Sequence, residues 1–226
     1  MNRTRALVIA GVAALVLVVA IVVAGPWAYS RFIVGEQPEE LRLPTNGGQI
    51  ADGDPVALEG EWTVTNNSVA GYRVDEILWG QDVTVVGRTD QVSGTASIDD
   101  GALSGVSVSV DMASVETDDE RRDNQYRGRI MDTETYPEST FLQTGDVTIP
   151  DGEGPFTVPV TGDLTVRGVT RTVTVDLDVQ SAGDAVSVSG SVPVVFADFD
   201  IPEPSIAGIA VDDSGVIEFL LELERV

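Results

Sequence analysis

The chain lacks three residue types that carry much of enzyme chemistry. It has no cysteine and no histidine, and all 13 of its basic residues are arginine, so lysine is missing too. Without cysteine there are no disulfides, no thiolate nucleophile and no thiolate metal site. Without histidine there is no imidazole zinc site, no histidine-based triad and no usual near-neutral general base. Without lysine there is no Schiff-base chemistry. Positive charge is scarce as well, and the formal net charge is −24. Such a surface repels phosphate backbones, which excludes nucleic acid as a partner, and it disfavours docking of the folded surface on anionic lipid. The acidic residues are scattered without a run of five, as on a solvated face. Asp198 with Asp200, and Asp118 with Asp119, read as turn and capping groups rather than a glycosidase pair. No catalytic group, metal site or cofactor is expected.

One long apolar run is present. Residues 6–24 are Ala, Leu, Val and Ile with one Gly and no charge. At ~1.5 Å per residue they extend about 28 Å, close to the hydrocarbon thickness of a bilayer. Arg3 and Arg5 precede the run, and Trp27 and Tyr29 follow it. The expectation over residues 1–30 is an uncleaved signal anchor: a single-pass transmembrane helix with its N-terminus cytoplasmic and the remainder outside the cell membrane. A cleaved signal peptide ending near Val22-Val23-Ala24 is the alternative, against which the length of the apolar core speaks. Residues 31–60, rich in breakers such as Gln37-Pro38 and Asp52-Gly53-Asp54-Pro55, read as a flexible tether. The exported domain is then 61–226.

That domain alternates with period two. Val106, Val108 and Val110 alternate with Ser107, Ser109 and Asp111, and Val173, Val175, Leu177 and Val179 alternate with Thr172, Thr174, Asp176 and Asp178. Each such run is a strand with one apolar and one wet face. Strands are predicted near 61–65, 69–76, 82–88, 91–99, 102–112, 140–149, 156–166 and 169–181, with two more near 185–196 and 216–225. Turn signals such as Asp99-Asp100-Gly101 separate them. Antiparallel strands in this number close into a barrel or fold into a sandwich.

The alternation stops between Arg121 and Phe141. Thr117-Asp118-Asp119-Glu120 fits a capping box with Thr117 as the N-cap, and Arg127 and Arg129 near the far end suit the helix dipole. The apolar stripe is narrow, with Tyr126 and Ile130 one turn apart, so this helix is expected to lie across something rather than form core. A further short turn is expected at Asp132 to Thr135, before Pro137.

These residues resemble the signature of YceI-like proteins: Arg122-Asp123, then Arg127-Gly128, Asp132, Tyr136-Pro137 and Phe141. A second block, Gly162 to Arg171, resembles that family's strand, turn and strand. Trp62, the strand Ser68 to Val74, and Phe199-Asp200-Ile201 fit as well. The chain departs from the pattern at Asn124-Gln125, where the family often has His; at Ile130-Met131, where it often has aromatics; and at Asp200, where Gly is common. The resemblance covers residues 61 to 226. It implies an all-β, eight-stranded antiparallel lipocalin-like barrel with a short helical insertion, holding an isoprenoid or similar long apolar lipid, an isoprenoid quinone included. It does not specify an oligomeric state.

The mostly Val inward positions leave room at the axis of such a barrel, while a packed Val/Leu core, as in a non-catalytic envelope interaction module, is the other outcome. Positions expected to face a lipid are Tyr72, Val85, Val108 and Val110 on the early strands. On the crossover they are Arg122, Tyr126, Arg127 and Met131, with Arg122 and Arg127 near a headgroup; pairing of Arg122 with a neighbouring carboxylate is the stronger reading of that residue. The later strands add Phe141, Leu164, Val175, Leu177, Phe199, Phe219 and Leu221.

Overall fold

The computed structural model describes residues 38–43, 58–78, 81–150, 155–182, 185–203, 205–206 and 209–226. The apolar run at 6–24 and the anchor expected there lie outside the described residues, among which no helix is long and apolar enough to cross a membrane.

In chain order the strands are β1 (Gly60–Val64), β2 (Val69–Leu78), β3 (Gln81–Thr89), β4 (Val92–Asp99), β5 (Ala102–Asp111), β6 (Glu138–Gln143) and β7 (Val147–Thr148). They continue as β8 (Phe156–Val166), β9 (Val169–Ala182), β10 (Ala185–Val195), β11 (Ser205–Ile206), β12 (Ile209–Val211) and β13 (Ser214–Arg225). Every pairing is antiparallel. The sheet runs β1-β4-β5-β6-β8-β9-β10-β13 and closes where β13 returns to β1. Since β13 pairs with both β1 and β2, these two are halves of one interrupted strand, and β3 and β4 form a second. Counted so, the architecture is the eight-stranded antiparallel barrel. The strand expected at 140–149 is broken into β6 and β7 around Gly145, whose φ is +79°. The β11–β12 hairpin, which extends the sheet beyond β2, was not foreseen.

Local chemistry explains the joins. The β1–β2 break is patched by Ser68, which is fully buried: its hydroxyl donates to Glu222 O (3.3 Å) and accepts from Glu222 N (3.0 Å). Asp100-Gly101 and Arg167-Gly168 make two-residue hairpins with φ positive at both positions, as the twist of the flanking strands requires.

Between β5 and β6 the chain crosses one end of the barrel. Here α1 (Glu120–Gln125) runs into a single wide turn at Tyr126–Ile130. The N-cap is Asp119, whose carboxylate accepts from Arg121 N at 2.8 Å, and not Thr117 as expected. Thr117 is held instead by Asp123. The turn expected after Asp132 is present, with Thr135 N and Tyr136 N both donating to Asp132 O at 2.9 Å.

Outside the wall, Pro38 to Leu43, part of the expected tether, lies across the strands. Leu41 N donates to Glu218 Oε2 (3.3 Å), Leu43 N to Ser189 Oγ (3.2 Å), Arg73 to Pro38 O (2.8 Å), and Arg88 to Glu39 O. Beneath it Glu218, 2% exposed, meets Arg88 Nη2 at 3.0 Å and Arg73 Nη2 at 3.4 Å. A carboxylate this buried needs such partners.

Candidate functional site

The barrel is hollow. A cavity of about 590 Å³ runs through it, lined by alternate residues from its walls and by the crossover. Two buried clusters frame it. One, at the end where β1 begins, holds Trp62, Val158, Val160 and Leu223; the other, under the crossover, holds Val115, Tyr126, Met131 and Val166. Phe141, Leu177 and Phe219 pack against both. The first end is stoppered by Trp62, which is 2% exposed, donates to Leu58 O at 2.8 Å, and has the Arg225 guanidinium 5.0 Å from its ring centre.

The charged lining residues, Glu76, Asp119, Arg121 and Arg122, belong to the other end, on and facing α1. Arg122 donates to Asp118 and to Thr117 Oγ1, so the reading of this arginine as an ion-pair member holds, with Asp118 as the partner. Asp123 is buried and accepts from Thr117 N and its hydroxyl. Below them the rings of Tyr72 and Tyr126 stack at 5.3 Å and 9°. Burial pushes both phenols well above the ordinary tyrosine range, opposed at Tyr72 by Arg122 and reinforced at Tyr126 by Tyr72. Both rings therefore present neutral hydroxyls. Burial also raises Glu76, with Arg122 lowering and Asp118 raising it further.

Of the residues expected to face a guest, Tyr72, Val85, Val108, Val110, Arg122, Tyr126 and Met131 line the cavity. Phe141, Leu164, Val175, Leu177, Phe219 and Leu221 do so too. Arg127 does not; it donates to Asn124 Oδ1 at 3.2 Å on the outer side of the crossover. Phe199 is buried in the cluster under the crossover but is not part of the lining, because a short helical turn at Phe196–Phe199 breaks the strand alternation that would aim it inward. Sequence reasoning missed Trp62 as the stopper and Glu76 at the mouth, although Trp62 was already marked by the resemblance and Glu76 continues the inward series of Tyr72 and Val74.

The separate blocks of the resemblance meet in space. The Tyr136 ring covers Gly168, where a Cβ would stand 2.5 Å from Tyr136 Cε1. Arg167 lies 5.7 Å from the centre of the same ring and donates to Asp200 O at 2.6 Å.

Comparison with known proteins agrees with this geometry. A YceI-like domain profile matches residues 62–223. A UPF0312 protein of Vibrio parahaemolyticus is 34% identical over 127 residues, covering 52% of this chain and 65% of that protein. The YceI protein of Escherichia coli is 33% identical over 101 residues, 43% of this chain and 50% of that one. The matches thus span between half and two thirds of these relatives' length. Among solved structures, BcnA of Burkholderia cenocepacia superposes with a TM-score of 0.56 at 25% identity, over 70% of this chain and 98% of that one. A polyisoprenoid binding domain from Saccharophagus degradans does so at 0.59 and 19% identity, over 73% and 98%.

Proposed function

Because the chain belongs to the YceI-like family, we propose that it binds an isoprenoid or related long apolar lipid, the polyprenyl tail of a quinone included, inside its barrel. Residues 6–24 would hold it at the outer face of the cytoplasmic membrane, near the source of that lipid. The observation that carries the reading is the hollow bore: largely apolar from the Trp62 stopper to the tyrosine stack, with the charged residues of its described lining gathered at the crossover end. The polyisoprenoid binding of the Saccharophagus domain, a protein of the same fold, supports it.

The mechanism is desolvation of the tail. Each buried CH₂ contributes about 0.8 kcal/mol, so one isoprene unit contributes on the order of 3 kcal/mol before entropy costs. The tail enters past the crossover and stops at Trp62. The headgroup stays among Arg121, Arg122, Gln125 and Glu76, where the neutral hydroxyls of Tyr72 and Tyr126 mark the change from polar to apolar lining. The open bore speaks against a packed-core interaction module.

Delipidated protein should raise the emission of an apolar naphthalene dye with one-to-one stoichiometry, and a polyprenol should displace the dye. A protein that takes up neither dye nor polyprenol overturns the reading.

A further inference from the structure

Three of the aromatic side chains that line the bore, Tyr72, Phe141 and Phe219, are recessed into its wall. Three strands carry an inward apolar series broken by one glycine: Val83, Val85, Gly87 on β3; Val158, Val160, Gly162 on β8; and Val186, Val188, Gly190 on β10. Each glycine lies beneath an aromatic ring from the adjoining strand. Gly87 is the register partner of Tyr72, and Gly190 of Phe219; Gly162 lies two residues from Leu164, the partner of Phe141. In each case the ring occupies the place of the missing side chain. A Cβ at Gly87 would stand 2.4 Å from Tyr72 Cε1, at Gly162 2.4 Å from Phe141 Cζ, and at Gly190 2.7 Å from Phe219 Cζ. The three rings line the cavity and the three glycines do not.

In an eight-stranded barrel the interior is only wide enough to be filled by side chains or to hold one slender guest. A ring displaced from its recess has nowhere to go but toward the axis. We infer that Gly87, Gly162 and Gly190 are specificity-determining residues for the lipid tail. By letting Tyr72, Phe141 and Phe219 lie back against the wall, they set a girth that passes a methyl-branched chain. This rests on the lipid-binding reading and adds to it which feature of the tail the bore measures.

The test is a competition. The full chain in nanodiscs is offered an equimolar mixture of geranylgeraniol, branched, and eicosan-1-ol, unbranched, and the ratio of the two bound to protein is read by native mass spectrometry. Gly87→Ala is the cleanest variant, since the three atoms nearest the added methyl all belong to the Tyr72 ring, whereas a backbone carbonyl stands close at Gly162 and Gly190. It and Gly190→Ala should shift the ratio about tenfold toward the unbranched alcohol, the usual scale for one methyl group in an apolar pocket. Phe219→Leu in the Gly190→Ala background should restore the ratio. Phe219→Leu alone, which leaves every glycine in place, should shift it toward the branched alcohol, and this arm stands even where an alanine variant fails to fold. A ratio unchanged within about twofold in folded variants, or an equal loss of both alcohols, overturns the inference while leaving lipid binding intact. A wild-type protein that binds neither alcohol overturns both.

Discussion

Asp123, 6% exposed, accepts hydrogen bonds from both the backbone N–H and the hydroxyl of Thr117, at 2.9 and 2.7 Å. The aspartate of the signature pair is thus a clamp: it ties the first turn of the crossover to the segment that leads into it. Asp123→Ala strands two donors in a buried place and is expected to cost about 2–3 kcal/mol in denaturant unfolding. Thr117→Val removes only the hydroxyl and should cost about 1 kcal/mol. In the double variant the two losses should sum to less than their total, since both remove the same bond.

Glu218 gives a second prediction. It is the common partner of Arg73, Arg88 and Leu41 N. Glu218→Ala leaves two partly buried guanidiniums without their carboxylate and is expected to destabilise the barrel by about 3 kcal/mol. It should also free Pro38 to Leu43 from the wall, which limited proteolysis would register as new cleavage at Arg42.

The pH dependence of stability should carry a contribution from Glu76. Burial holds its carboxyl above the ordinary value of 4.5, with Arg122 opposing and Asp118 adding to the rise. A raised carboxyl binds its proton more tightly in the folded state. Its contribution to stability is therefore fully present below 4.5 and is lost as pH rises through the folded pKa. Glu76→Gln should melt higher than wild type at neutral pH, and the difference should vanish below about pH 4.

Asp200 offers a stabilising change. Its φ is +52°, a left-handed conformation in which a side chain is strained, and the contact it makes with Arg167 goes through its backbone carbonyl. Asp200→Gly keeps that contact and should raise stability by up to about 1 kcal/mol, read as a shift in the denaturant midpoint.

The strands were legible because alternation is a local signal; that they close into a barrel rather than a sandwich came from the family resemblance. Runs such as Val173 to Val179 announce their inward face residue by residue, and turn signals such as Asp99-Asp100-Gly101 announce their ends. The lining followed from the same parity, and it failed at Phe199, where a helical turn resets the alternation. The helix cap was misplaced because Thr117 and Asp119 are both good caps two residues apart, and no local rule sees that Asp123 claims Thr117. The ion cluster of Arg73, Arg88 and Glu218 was out of reach for a stronger reason: its members lie 130 and 145 residues from the glutamate and meet only after closure. The recesses at Gly87, Gly162 and Gly190 were written in the alternation as gaps in Val series, but their meaning depends on which aromatic stands across the ladder.

The most direct measurement of the central claim is the identity of the lipid that copurifies with the protein. Full-length protein purified from a detergent extract of expressing cells without delipidation, washed, and extracted for lipid mass spectrometry is expected to yield an isoprenoid-chain lipid in near-stoichiometric amount. That yield should fall when Leu177→Trp fills the middle of the bore. Recovery of no lipid, or of bulk phospholipid in the same amount from wild type and the filled variant, would contradict the account.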